Sequence, residues 1–148
     1  MTRSVFDANV LASGIVGIVL RSPAAPATLL RRWRRGEFSL VVSERILEEV
    51  EFSAFSRPYF QQVLSESTRH RSIAMVRRNA ELVALTQEVV GIAPDPNDDH
   101  VLAAALSSGA TYIVTGDRRL RSVDMYAGVR LVTPQEFLQI LAGDARLD

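Results

Sequence analysis

The chain has 148 residues, 47% of them apolar and 23% charged, which is the composition of an ordinary globule long enough to bury a real core as one domain over residues 1–148. Its 17 basic residues offset its 17 acidic ones, so the whole-molecule field does not draw in a polyanion; any nucleic-acid affinity must come from local patches or a bound metal. There is no cysteine, and every basic residue is arginine, which excludes disulfides, thiolate zinc sites, Cys nucleophiles and Schiff-base lysine chemistry.

Ser4–Asp7 predicts a short strand and Asn9–Val19 a helix, in which Gly14 and Gly17 predict a bend. Val10–Leu20, behind Arg3 and ahead of Pro23-Ala24-Ala25-Pro26-Ala27, imitates a secretory signal. Asp7 and Asn9 argue against that reading, and the run is shorter than the roughly 20 apolar residues that span a bilayer. A cytoplasmic protein is expected. Pro26 suits a helix start, Leu29, Leu30 and Trp33 recur at helical spacing, and Gly36 is a stop. Phe38–Val42 predicts a second strand. Ser43 is a good N-cap, with Ile46, Leu47, Val50 and Ala54 as the buried stripe of the helix that follows.

After Pro58, Tyr59–Arg78 predicts one or two helices. Leu82–Leu85 and Val89–Ile92 are short apolar runs, one of which suits an edge strand. Pro94–Asn97 predicts a turn, Asp98–Ser108 a helix ended by Gly109, and Tyr112–Thr115 and Val129–Val132 two further strands. Thr133 and Glu136 form a capping box for the last helix. Strands alternating with helices imply an α/β fold with a mainly parallel sheet.

Four carboxylates fall where strand-like runs give way to helix-like ones: Asp7, Glu49, Asp98 and Asp117. In a parallel sheet such positions converge on the rim at the carboxyl ends of the strands. Each alone reads as a cap, a turn residue or a solvated helix acid. Together they form a cluster that a cation would relieve, and oxygen-only donors suit Mg²⁺ or Mn²⁺.

Four motifs in order resemble the PIN-domain nucleases. Val5-Phe6-Asp7-Ala8-Asn9-Val10-Leu11 looks like their opening strand. Ser43 followed six positions later by Glu49 is similar to the second motif. Asp95-Pro96-Asn97-Asp98-Asp99 before an Ala-rich helix resembles the third, and Thr115-Gly116-Asp117-Arg118-Arg119-Leu120 the fourth. The match is closest to bacterial toxins of toxin–antitoxin systems, the VapC-type ribonucleases. The resemblance implies a three-layer α/β/α sandwich and a metal-dependent endoribonuclease that hydrolyses RNA phosphodiester bonds, with Mg²⁺ or Mn²⁺ held by Asp7, Asp98 and Asp117. It also implies a small antitoxin protein as partner, a possible homodimer and no membrane.

Asp7, at a rigid strand end, suits a direct or bridging ligand. Glu49 is expected to ligate through water or to orient the attacking water. Its neighbour Glu48 competes, but Glu49 lies nearer the apolar stripe and has the family spacing. Asn9, Ser43 and Thr115 are expected to hydrogen-bond the carboxylates, with Asp95 and Asp99 as additional acids. Arg118, Arg119 and Arg121 are the nearest candidates for RNA phosphates. Arg31-Arg32-Trp33-Arg34-Arg35, Arg69-His70-Arg71 and Arg77-Arg78 are open between phosphate contacts and solvated faces, with Trp33 expected in the core. His70 and His100 are not expected as ligands, and His100 is expected to point away from its helix. An aspartyl-nucleophile phosphotransfer fold would need a later lysine, which the chain lacks. The remaining alternative is a PIN-like non-catalytic RNA- or protein-binding module.

Overall fold

The computed structural model describes residues 1–147, with side chains described as far as Gly143. Five strands run parallel: β1 (Arg3–Phe6), β2 (Ser39–Val42), β4 (Tyr112–Val114) and β6 (Val129–Val132), each within a residue of its expected bounds, and β3 (Glu81–Leu82); β5 (Met125–Tyr126) pairs antiparallel with β6. The sheet order is β3-β2-β1-β4-β6-β5. In the centre, Val5 pairs with Val41 on one side and Ile113 on the other, and all three are fully buried. That two-sided burial is why the runs are continuously apolar rather than alternating.

The helices are α1 (Ala8–Val19), α2 (Ala25–Arg34), α3 (Glu44–Phe52), α4 (Pro58–Val63), α5 (Glu66–Asn79), α6 (Asp99–Ser108), α7 (Arg118–Arg121) and α8 (Pro134–Leu147). The chain steps outward from β1 to β2 and β3, then crosses back to β4 and β6. Right-handed crossovers therefore put the two sets of connections on opposite faces. α1, α2, α3, α5 and α8 contact one another on one face, while α6 lies against β1, β2, β4 and β6. The result is the three-layer α/β/α sandwich with a mainly parallel sheet. Phe6, Phe38 and Phe137 pack together with ring centroids 5.2–6.2 Å apart, tying β1 and the approach to β2 to α8.

Several local expectations need correction. The bend predicted by Gly14 and Gly17 does not form, and α1 runs unbroken. The glycines instead let α2 close in. A Cβ on Gly17 would lie 2.6 Å from the Cβ of Ala27, and one on Gly14 would lie 2.6 Å from Cδ1 of Leu30. The stretch after Pro58 is two helices, the second capped by Ser65. Of the two ambiguous runs, Leu82–Leu85 enters the sheet only at its first residue, in the strand Glu81–Leu82, and Val89–Ile92 does not pair. The β5–β6 hairpin and the short α7 have no counterpart among the expected elements. The hairpin turns through Ala127 and Gly128, both at positive φ (50° and 83°), a geometry that glycine suits and alanine rarely signals. Among the described residues no helix is long and apolar enough to cross a membrane.

Candidate active site at the carboxyl rim of the sheet

The chain reverses its order of strand addition between β1 and β4, and ligands of open α/β sheets bind in the crevice beyond that point. Asp7 stands there. Its backbone N–H extends the β1–β4 pairing to the carbonyl of Val114, at 3.1 Å. Its side chain caps α1, with Oδ1 accepting from the Val10 N–H at 2.9 Å, while Oδ2 accepts from the Thr115 hydroxyl. The same hydroxyl accepts from the N–H of Asp117 at 3.0 Å, which aims its own proton at Asp7. Asp117 in turn caps α7, and Arg121 donates to the Thr115 carbonyl at 3.2 Å. One turn of chain after β4 thus holds both Asp7 and Asp117.

Asp98 reaches the rim from the other side of the sequence, at the N-terminus of α6. It occupies an N-cap position but makes no capping bond, and among the described residues its carboxylate accepts no hydrogen bond. The absence of a cap leaves that charge to face the other acids. Burial pushes Asp7 up to about 6, against the hydrogen bonds from Thr115 and Val10, with the charges of Asp98 and Asp117 adding to the rise. Asp98 is also raised, first by burial and then by Asp95, Asp117 and Glu49, with His100 opposing. Acids from four separate stretches of sequence therefore repel one another across one rim.

Glu49 faces His100, whose Nε2 lies 2.7 Å from Oε1 of Glu49; His100 is only 6% exposed. Glu48, the competitor, is exposed. The expectation that His100 points away is overturned. The sequence held a signal for it: Val101–Ala105 is apolar on every face, so α6 is buried all round and a His in its first turn must be buried with it. Arg57 is the other residue that sequence reasoning did not single out; its guanidinium donates to Oδ1 of Asn9 at 2.7 Å.

The remaining expected supports divide. Thr115 does bond a carboxylate. Asn9 holds Arg57 instead, and Ser43 caps α3 through the Ile46 N–H at 3.2 Å, so neither reaches the acids. Asp95 caps the turn at Asn97, and its charge reaches Asp98. Asp99 is turned the other way. It accepts from the N–H groups of Gly91, Ile92 and Ala93, and these bonds hold its carboxyl below the usual range. Arg118 and Arg119 are exposed just past Asp117. Elsewhere Trp33 is buried, Arg31 and Arg69 bond backbone carbonyls, and Arg77 pairs with Glu44, which ties those residues into the fold, while Arg34, Arg35, Arg71 and Arg78 are exposed.

The donors at the rim are carboxylate oxygens with unrelieved mutual repulsion, which fits a hard divalent cation in both chemistry and charge. Among the described residues no three acid or histidine side chains close into a ready coordination cage. Asp7 and Asp117 each commit an oxygen to a helix cap, Asp7 accepts from Thr115 with the other, and Glu49 commits one to His100. Each carboxylate retains further lone pairs.

The sequence model of the PIN domain matches residues 3–119. Among solved structures, a chain in the crystal structure of VapBC2 from Rickettsia felis, bound to a DNA fragment from their promoter, superposes with a TM-score of 0.54 at 12% identity. The match covers 88% of this chain and 97% of that one, a likeness of fold. No curated protein matches the sequence.

Proposed function

The chain belongs to the PIN domain family, and from that premise we propose that it is a metal-dependent endoribonuclease, the toxin of a toxin–antitoxin pair. The observation that supports this most is the gathering of acids at one rim: burial, with the charges of Asp98 and Asp117 added, pushes Asp7 up to about 6, and Asp98 is raised by burial and by Asp95, Asp117 and Glu49. A protein tolerates such a cluster where something of opposite charge is to bind. Asp7, Asp98 and Asp117 would hold Mg²⁺ or Mn²⁺, and Glu49 would orient the attacking water. When bound, such an ion supplies neutralisation of phosphate charge and acidification of water.

The chain's own groups do the positioning. Thr115 fixes Oδ2 of Asp7, and the buried His100 fixes Glu49. Arg118, Arg119 and Arg121 supply cationic charge beside Asp117 for the RNA backbone. The proposed partners are RNA, a small antitoxin protein and a second copy of the chain, with residues 1–148 acting as one cytoplasmic domain. The Rickettsia felis complex, solved with promoter DNA, is the precedent for pairing on this fold.

The alternative reading is a non-catalytic RNA- or protein-binding module. It is favoured by the helix caps that Asp7 and Asp117 form, since a cap is reason enough for an Asp. The deciding experiment is RNA cleavage by purified protein in EDTA and then in Mn²⁺. Cleavage that needs Mn²⁺ and is lost in Asp117→Asn supports the nuclease. RNA left intact under both conditions supports the module. Expressed alone in cells, the wild type is expected to arrest growth, and Asp98→Asn at matched soluble level is not. Equal arrest by both would sink the toxin mechanism.

A further inference from the structure

An acidic rim repels the polyanion it is proposed to cut, so a cation must stand where the strand approaches. Arg57 is placed to be that cation. It lies between the turn at Ala54–Ser56 and α4, with its guanidinium carbon 6.0 Å from the Phe60 ring centroid. Asn9, on the first turn of α1 and two residues beyond Asp7, holds one end of the guanidinium at 2.7 Å. Both line a groove of about 490 Å³ whose other walls include Ser13, Pro26, Asp117 and Pro134. One groove therefore has an arginine on one wall and a rim acid on another.

The arginine is not spent on that acid. Among the described residues Arg57 makes no ion pair, whereas Arg3, Arg32, Arg45 and Arg77 each lie within 4.0 Å of a carboxylate. A guanidinium has five N–H donors in a rigid fork, and the bond to Asn9 occupies one. The rest remain for a planar or tetrahedral oxyanion, the geometry that Arg reads in two-pronged fashion. Arg118 and Arg119 lie beyond Asp117 on α7, and Arg121 is engaged with the Thr115 carbonyl.

We propose that Arg57, aimed by Asn9, binds a backbone phosphate of single-stranded RNA flanking the bond to be cut, so that the groove lined by Asn9, Arg57 and Asp117 is the track by which the strand reaches the acids. Arg57 is then a substrate-binding residue, and Asn9 is a positioning residue that acts through it. This inference rests on the ribonuclease reading, but binding can be measured without cleavage.

The test is fluorescence anisotropy of a short single-stranded RNA over a salt series in EDTA, with wild type, Arg57→Met, Arg57→Lys and Asn9→Ala. Removing one phosphate contact on a single strand should lower the slope of log affinity against log salt by about 0.7, with roughly 3- to 10-fold weaker binding at moderate salt. Arg57→Lys should keep the slope and lose part of the affinity, because it keeps the charge and loses the fork. Asn9→Ala should also keep the slope, with a loss no larger than that of Arg57→Met. A merely structural role would not move the salt slope, and Arg57→Gln, which also removes the charge and should lower the slope equally, is read in its place if Arg57→Met does not fold. The proposal is overturned if Arg57→Met keeps the wild-type slope, or if the wild type binds no RNA. Failure of the nuclease reading looks different: no Mn²⁺-dependent cleavage by the wild type, with the salt slope still lowered in Arg57→Met.

Discussion

Asp7 and Asp99 are each 8% exposed, yet they carry opposite electrostatic burdens. Asp99 accepts three backbone N–H groups from residues 91–93, which hold its carboxyl low; it staples that loop to α6. Asp7 has one backbone N–H and one hydroxyl, sits opposite Asp98 and Asp117, and is pushed up to about 6. Surface exposure alone therefore does not distinguish a candidate site acid. Burial is the largest cause of the rise at Asp7, and the supply of donors decides whether burial is offset: where they suffice, as at Asp99, the charge is settled and the role is structural, and where they fall short, the charge is left for something else to relieve.

The sharpest way to break this comparison is to neutralise each acid in turn. Asp7→Asn is expected to lower Mn²⁺-dependent RNA cleavage by more than about 100-fold, the upper end of the loss seen when even a supporting partner of a metal ligand is removed. Asp99→Asn, assayed at equal folded concentration, should stay near the wild-type rate. Comparable losses in the two variants would erase the distinction.

Stability should move the other way. Raising a carboxyl from 3.8 to about 6 corresponds to about 3 kcal/mol of destabilisation once the group is ionised, so Asp7→Asn should gain up to that amount near neutral pH. The sign follows from the raised value. The favourable contribution of protonated Asp7 is complete below 3.8 and is lost as pH rises through about 6, so the gap between wild type and variant opens across that window. Asp99 has a lowered value, so its contribution is present above the ordinary carboxylate range and is lost as pH falls below it. Asp99→Asn leaves one acceptor oxygen for three N–H groups and should cost about 1–3 kcal/mol. Denaturant titrations at several pH values measure both.

Two smaller effects sharpen the separation of fold from site. Gly17→Ala brings a Cβ to 2.6 Å from that of Ala27 and should destabilise by about 1–3 kcal/mol, without changing the cleavage rate of the folded protein. Thr115→Val removes a donor from Asp7, so the Asp7 carboxyl should rise further and the acid limb of the cleavage profile should shift to higher pH. An unshifted profile would detach Thr115 from the chemistry.

The sheet and the ends of its main strands were legible because parallel central strands announce themselves as unbroken apolar runs, as Ser4–Phe6 and Leu40–Val42 do. Asp7 and Asp117 were legible because strand ends and caps are local features. Asp98 and Asp99 are separated in the sequence only by the family motif and not by a local feature. They are neighbours of one type, and what separates them is the path of residues 91–93, which the sequence does not encode locally. Asn9 and Ser43 were assigned to the acids on spacing, but the nearest partners for each lie elsewhere: Arg57 is 48 positions away, and the Ile46 N–H is the helix's own. His100 needed the inference that α6 is buried on every side, and Arg57 needed the folded groove.

Unmet charge at the rim is measured most directly by the melting temperature in the presence of Mn²⁺. Metal must displace the proton that Asp7 holds up to about 6, so Mn²⁺ should raise the wild-type melting temperature clearly at pH 7 and little at pH 5. At about 100 times the dissociation constant the gain would be about 2.7 kcal/mol. Asp7→Asn should start from a higher melting temperature without metal and gain little from it. A wild-type curve that Mn²⁺ leaves unmoved at pH 7, or an equal shift in Asp7→Asn, would contradict the claim that these acids keep unmet charge for a cation.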